Sequence, residues 1–312
     1  MPADRPAPMS KSKAIGALLL CALVGATGWL PLRALHDRGL HPLWTLVLVY
    51  AVAVLALGPR AVRSGPGAEP SPLRRVSSTP SLWALGAAFG TMNAAFFWSV
   101  SIGDVIRAVL LFNLMPLWAA LLAWLLLGER PSPRGMLGVA LALAGAAWVL
   151  WRTDRPWEGW SSLPWPRETA DGLALAGGAA FALNNVLLRR HAGQSQSAHV
   201  LAMFAGGMLV AGALALALNL AGQLEGLPPA APGWVGIAAL LSLWFLLGNF
   251  ALQYGATRLP ANTTSVTMLS ESVFAAASAV ALGGSQPTLA LLGGGVLIFT
   301  AAWLSASSPT SA

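Results

Sequence analysis

The sequence predicts an all-α integral membrane protein of ten transmembrane helices, arranged as two inverted five-helix repeats, and three observations predict it. First, 56% of the 312 residues are hydrophobic and 9% are charged, where an ordinary soluble domain carries about a quarter charged residues. Second, the apolar residues gather into ten runs, each near the length of about 20 residues that a helix needs to cross a bilayer. Third, the two halves of the chain match at a constant offset of 156 residues.

The runs are Ala14–Ala34, Pro42–Leu57, Ser81–Ile102, Val105–Leu127 and Gly135–Trp151, then Gly172–Leu188, Val200–Leu220, Trp234–Gly255, Asn262–Leu282 and Leu289–Ser305. The first follows a basic stretch and superficially resembles a leader peptide. It continues past the weak small-residue pattern at Ala26–Gly28 into Trp29 and Leu30, so it reads as a retained first helix. Pro42, Pro80, Pro260 and Pro287 stand at or just before helix starts, where a missing N–H does no harm. The longest connections, Gly58–Pro80 and Arg152–Thr169, are rich in Pro, Ser, Gly or charge and read as loops. The domain reading is a tail at 1–13, a first repeat at 14–152, an extracytoplasmic loop at 153–170, a second repeat at 171–306 and a tail at 307–312.

Charge sets the orientation. With the N-terminus in the cytoplasm, twelve Lys and Arg fall in cytoplasmic segments and six outside, the bias expected of a cytoplasmic face. The net charge of +7 does not indicate nucleic-acid binding, because the basic residues are scattered among short loops and form no patch with interleaved aromatics. The single cysteine, Cys21, excludes an internal disulfide and a multi-cysteine metal site. His36, His41, His191 and His199 are dispersed, and no metal or cofactor is expected. Enzyme readings fail for want of G-x-S-x-G, H-E-x-x-H or a Walker loop. Asp104 has no second intramembrane aspartate to form a protease dyad. No ring of repeated polar groups marks a channel filter.

The offset pairs Asn93 with Asn249, Arg33 with Arg189 and Pro131 with Pro287. Five spans per half is an odd number, so the second half lies upside down relative to the first. Inverted repeats are a recurring transporter plan, with the binding site near the midplane between them.

Residues 110–150, "LLFNLMPLWAALLAWLLLGERPSPRGMLGVALALAGAAWVL", resemble the fourth and fifth helices of the EamA-type unit in the drug/metabolite transporter superfamily. The marks are Pro116, the closing Gly128-Glu129 and Gly138. A weaker copy is "MLSESVFAAASAVALGGSQPTLALLGGGVLIF", and "NNVLLRR" at the end of the sixth run is similar too. Two positions depart from a perfect second copy: Ser285 stands where Glu129 would recur, and Ser272 where Pro116 would. The resemblance implies export or exchange of small metabolites, often amino acids, without an ATPase domain.

Glu271 is the principal site candidate. It lies among apolar residues while the other ten acids fall at loops or helix ends. A charged carboxylate at the centre of a spanning helix costs about 2.5–3.5 kcal/mol on insertion scales, so it has to be neutral, paired or facing water. It reads either as a group that takes a proton or a substrate ammonium, or as a structural acid bonded between helices. Thr267 and Thr264, four and seven residues before it, share its helix face. Arg107, one turn inside the fourth run, reads as a fork for a substrate carboxylate, as a snorkelling interfacial cation, or as a partner for Asp104. Asn93, Asn249 and Asn184 are polar amides inside spans, set either to line a cavity or to bond neighbouring helices. Trp98, Trp118 and Trp244 are candidate cavity walls, whereas Trp44, Trp157, Trp160 and Trp165 read as interface anchors. Pro116 frees the carbonyl of Phe112 and reads as a gating hinge or a static kink.

The sequence thus points to a secondary transporter of small polar, amino-acid-like metabolites, working by alternating access, with proton coupling through Glu271 as one reading. Its alternative is a non-transporting scaffold or lipid-handling protein of the same fold. The expected partners are a small-molecule substrate and the lipid bilayer of a bacterial inner membrane, with no nucleic acid. The chain is expected to act as a monomer or homodimer, with both termini cytoplasmic.

Overall fold

The computed structural model describes residues 11–62, 70–114, 117–118, 121–122, 124–125, 133–150, 166, 168–190, 196–256, 267, 270–283 and 286–307. Among them every regular element is a helix: α1 (Lys11–Thr27), α2 (Trp29–His36), α3 (Pro42–Ala61), α4 (Pro72–Ser78), α5 (Pro80–Ile102), α6 (Val105–Phe112), α7 (Pro133–Leu150), α8 (Thr169–Arg190), α9 (Gln196–Leu220), α10 (Pro232–Ala256), α11 (Ser270–Ala281) and α12 (Leu289–Ser307). Among the described residues, five stretches are long and apolar enough to cross a membrane: Ser12–His36, Pro42–Pro59, Pro80–Ile102, Ser197–Leu220 and Pro232–Leu252. The expectations for Pro116, Glu129, Thr264, Ser285, Trp157, Trp160 and Trp165 lie outside the described residues.

Helix starts follow the predicted chemistry. Pro42 and Pro80 open α3 and α5, and His41 caps α3 by accepting from the Leu43 N–H at 3.2 Å through Nδ1. Between α2 and α3 the chain reverses at Gly39, whose φ of +83° suits a residue without a Cβ. The Leu40 N–H bonds back to the Leu35 carbonyl at 3.0 Å, and both side chains are fully buried, the apolar contact that commonly seals such a helix end.

Two sequence readings are corrected. The first span is not one unbroken helix: it is divided at Gly28 into α1 and α2. Pro31 has no N–H to give to the Thr27 carbonyl four residues back, so the helical ladder loses a rung there. The connection Gly58–Pro80, read as loop, contains α4. Ser71 accepts from the Arg74 N–H at 3.4 Å and Pro72 occupies the first turn. Val76 then packs with Leu82, Leu85, Ala198 and Leu201.

Among the described residues the packing between halves is organised by exchange. Helix α1 packs on α10, and their counterparts at the 156-residue offset, α8 and α5, pack likewise; α1 also packs on α11 of the ninth run, and α8 on α6 of the fourth. Helix α3 packs on α10 as α9 packs on α5, while α3 with α9 and α7 with α12 are pairs that map onto themselves. Small residues let these helices approach. A Cβ at Gly86 would lie 2.5 Å from the Ala202 carbonyl oxygen and 3.0 Å from the Gly206 Cα. Leu55, Leu240, Phe250, Leu289 and Val296 are exposed, an outer surface suited to hydrocarbon.

Candidate functional site

The seam between α1 and α11 carries the acid. Glu271 falls in the first turn of α11, and its carboxyl group lies against Gly25 of α1. A Cβ on Gly25 would come within 2.8 Å of the Glu271 Cδ and would overlap Oε1. A methyl group there would make the end of the Glu271 side chain shift. Cys21 precedes Gly25 by one turn on the same face. Among the described residues, none forms an ion pair or hydrogen bond with Glu271.

The acid's surroundings are pinned on both sides. Two turns further along α11, Ser278 donates to the Ala26 carbonyl at 3.1 Å, and Trp29 Nε1 donates to Ser278 Oγ at 3.0 Å. From α10, Trp244 Nε1 donates to Thr27 Oγ1 at 3.3 Å, and the Phe245 ring would lie 3.3 Å from a Cβ at Gly28. Phe245 in turn stacks on Phe97 of α5, with centroids 5.1 Å apart. Glu271 thus sits beside the one stretch of the first span whose backbone ladder Pro31 interrupts. Thr267 has its carbonyl bonded by the Ser270 hydroxyl at 2.6 Å.

Arg107 lies elsewhere. Its guanidinium holds Asp171 of α8 by two bonds, Nε to Oδ1 at 2.6 Å and Nη2 to Oδ2 at 2.8 Å. Asp104 serves a different purpose: its Oδ1 caps α6 by accepting from the Arg107 backbone N–H at 2.8 Å. Asp171 is only 2% exposed and Arg107 22%, so the fork closes on a carboxylate from the other half of the chain. A substrate carboxylate would have to displace Asp171 to use it. The same end of the fold is tied twice more. Ser99 donates to the Ala170 carbonyl at 2.7 Å, and Arg33 donates to the Val100 and Gly103 carbonyls that end α5. His41, above Trp98 at 4.8 Å between ring centroids, completes this region. Burial, and then the neighbouring His36, push His41 down to about 4.

The remaining candidates divide. Asn93 Nδ2 turns back to the Phe89 carbonyl of its own helix at 2.9 Å. Asn249 is half-buried in α10, beside Gly248, which packs on Val24 of α1. Asn184 of α8 is 3% exposed, and among the described residues its Oδ1 has no hydrogen-bond partner; the same holds for the buried Nε1 of Trp118. The sequence singled out Glu271 and Arg107 but gave no sign that Asp171 was Arg107's partner. The only local trace is an acid in the first turn of α8.

Comparison with known proteins gives a consistent picture. The family model described as the EamA-like transporter family matches twice, over residues 12–151 and 169–307. An uncharacterized transporter of Pseudomonas aeruginosa is 33% identical over 139 residues, which is 41% of this chain and 44% of that protein. The chain therefore aligns with less than half the length of that curated relative. A solved crystal structure, titled only as that of a protein, superposes with a TM-score of 0.56 at 19% identity, covering 95% of this chain and 96% of the other. At that identity the likeness speaks for the fold.

Proposed function

The chain belongs to the EamA-like transporter family, and from that premise we propose that it is a secondary transporter that exports or exchanges small polar, amino-acid-like metabolites. Ten crossings in two inverted halves rock about a midplane site, in a multi-pass protein of a bacterial inner membrane with cytoplasmic termini. The observation that carries the reading is Glu271. An acid rests on a side-chain-free residue of the facing half, with no bond to it among the described residues. A group so placed is available to a proton or to a substrate ammonium, and intramembrane acids mark substrate or proton paths. Its seam, α1 with α11, joins the first and ninth runs as α8 with α6 joins the sixth and fourth, so opening one seam while closing the other is the motion that this packing favours.

In this reading Arg107 holds the halves together at one end through Asp171 rather than meeting substrate. Asn249 and Thr267 stay beside the path, and Asn93 is a lesser contributor because its amide bonds its own helix. The test is counterflow in sealed liposomes containing the purified protein. Vesicles preloaded with an unlabelled amino acid should take up the labelled one transiently and saturably. A scaffold or lipid-handling protein gives no saturable flux, and that result would overturn the proposal.

A further inference from the structure

We propose that α2 is the extracytoplasmic gate of the transporter, shut in this structure and held shut by Arg33. The inference deepens the transport reading above and rests on it. Helix α2 is a separate piece of eight residues, Trp29–His36. At its start the Gly28 N–H bonds to the Gly25 carbonyl, three residues back, at 3.3 Å, and Pro31 has no N–H to give. A missing rung of this kind is where a helix bends, and a few residues at the end of an element suffice as a hinge. With the N-terminus in the cytoplasm, α2 lies outward of α1. The hinge then has Glu271 on its inner side and the extracytoplasmic face on its outer side.

Contacts on two sides close α2 over the acid. Helices α1 and α11 run in the same direction, since Gly25 meets Glu271 and, further along both, Trp29 meets Ser278. The way outward from Glu271 along this seam therefore runs into the Trp29 indole, whose Nε1 donates to Ser278 Oγ, while Ser278 donates to the Ala26 carbonyl. One turn after Trp29, the Arg33 guanidinium lies over the Trp29 ring, 5.5 Å from its centroid. Its Nη2 donates to the Val100 carbonyl at 3.1 Å and to the Gly103 carbonyl. Those carbonyls end α5, where a helix has acceptors without partners of its own and where a cation suits the helix dipole. Leu32 and Leu35 of α2 are fully buried beneath this tie, whereas Leu30 is exposed. Arg33 itself is half-buried, so water can take over its bonds when α2 lifts.

The test reads access from the extracytoplasmic side as the rate at which a membrane-impermeant maleimide labels single cysteines in right-side-out vesicles, with Cys21→Ser as background. Asp37→Cys, in the exposed turn after α2, sets the rate of open access. Leu32→Cys, beneath α2, should label far more slowly. Adding Arg33→Gln should speed labelling of Leu32→Cys on the order of tenfold, the loss of about one hydrogen bond from a charged donor. Trp29→Phe, which lacks the bond to Ser278, should speed it too. Ser99→Ala removes a bond at the same end of the fold that does not involve α2, and should leave the rate as it was. Leu32→Cys labelled as fast as Asp37→Cys would overturn the gate. So would a rate that neither Arg33→Gln nor Trp29→Phe changes, or an equal rise with Ser99→Ala. Counterflow keeps the two readings apart: saturable flux by the wild type with labelling that the variants do not change overturns the gate alone, and no flux overturns the transport reading itself.

Discussion

Replacing Asp171 with Ala removes the anion from a fork that joins the two halves, and the structure sets the size of the effect. The pair is bidentate, at 2.6 and 2.8 Å, and the carboxylate is 2% exposed. Breaking a buried pair by deleting one partner costs about 3–5 kcal/mol, because the other charge is left without compensation. Arg107 keeps 22% of its surface exposed and makes a further contact besides Asp171, so the loss should fall at about 3 kcal/mol, the low end of that range. Asp104→Ala, which removes the cap of α6, should cost about 1 kcal/mol. Replacing both members, Arg107→Leu with Asp171→Leu, should restore most of the stability, giving a coupling of about 2–3 kcal/mol in a double-mutant cycle. Unfolding in mixed micelles with increasing SDS, followed by far-ultraviolet circular dichroism, measures all four proteins. Additive single-mutant losses, or an Asp171→Ala loss no larger than that of Asp104→Ala, would refute the reasoning.

Three further outcomes follow from the same geometry. Gly25→Ala should destabilise the protein and depress transport together, since the new methyl occupies the Glu271 seat; normal transport and melting would contradict that seat. His41 has a folded-state pKa near 4 against an ordinary value of 6.5, so its contribution is full above about pH 6.5 and is lost as pH falls toward 4. Stability should drop on the order of 1–2 kcal/mol across that window, allowing for solvent around a half-buried ring. In His41→Asn the drop should be absent. Reporter fusions at Gly67 and Pro164 should mark opposite faces of the membrane, as the distribution of Lys and Arg requires, and the same face for both would break the ten-crossing arrangement.

How far the fold could be read in advance depended on the range of the interaction. Apolar runs and the prolines that open α3 and α5 are local signals, and the helices start within a residue of them. The division at Gly28 was equally local: Pro31 was in plain view but sat inside an apolar run that read as continuous. Helix α4 was hidden by its composition, because Pro, Ser and Arg mark a loop until Val76 finds an apolar cluster across the chain. The Arg107–Asp171 pair spans 64 residues and joins one half to the other. Periodicity along a helix carries no information about such a contact, so Asp171 was grouped with the acids at helix ends. Glu271 was identified because its surroundings in sequence are apolar, while its seat on Gly25, 246 residues away in numbering, was not. The family resemblance was legible from the fourth and fifth runs and is matched by the family model over both halves.

The central claim is that Glu271 is a working group of a transporter, and uptake driven by a pH gradient in proteoliposomes of wild type and Glu271→Gln tests it most directly. The variant cannot release a proton. It should keep exchange between two loaded compartments and lose accumulation against a gradient, with little change in melting temperature. Accumulation equal to wild type with unchanged substrate affinity, or a large fall in stability with normal transport by the protein that remains folded, would contradict the account.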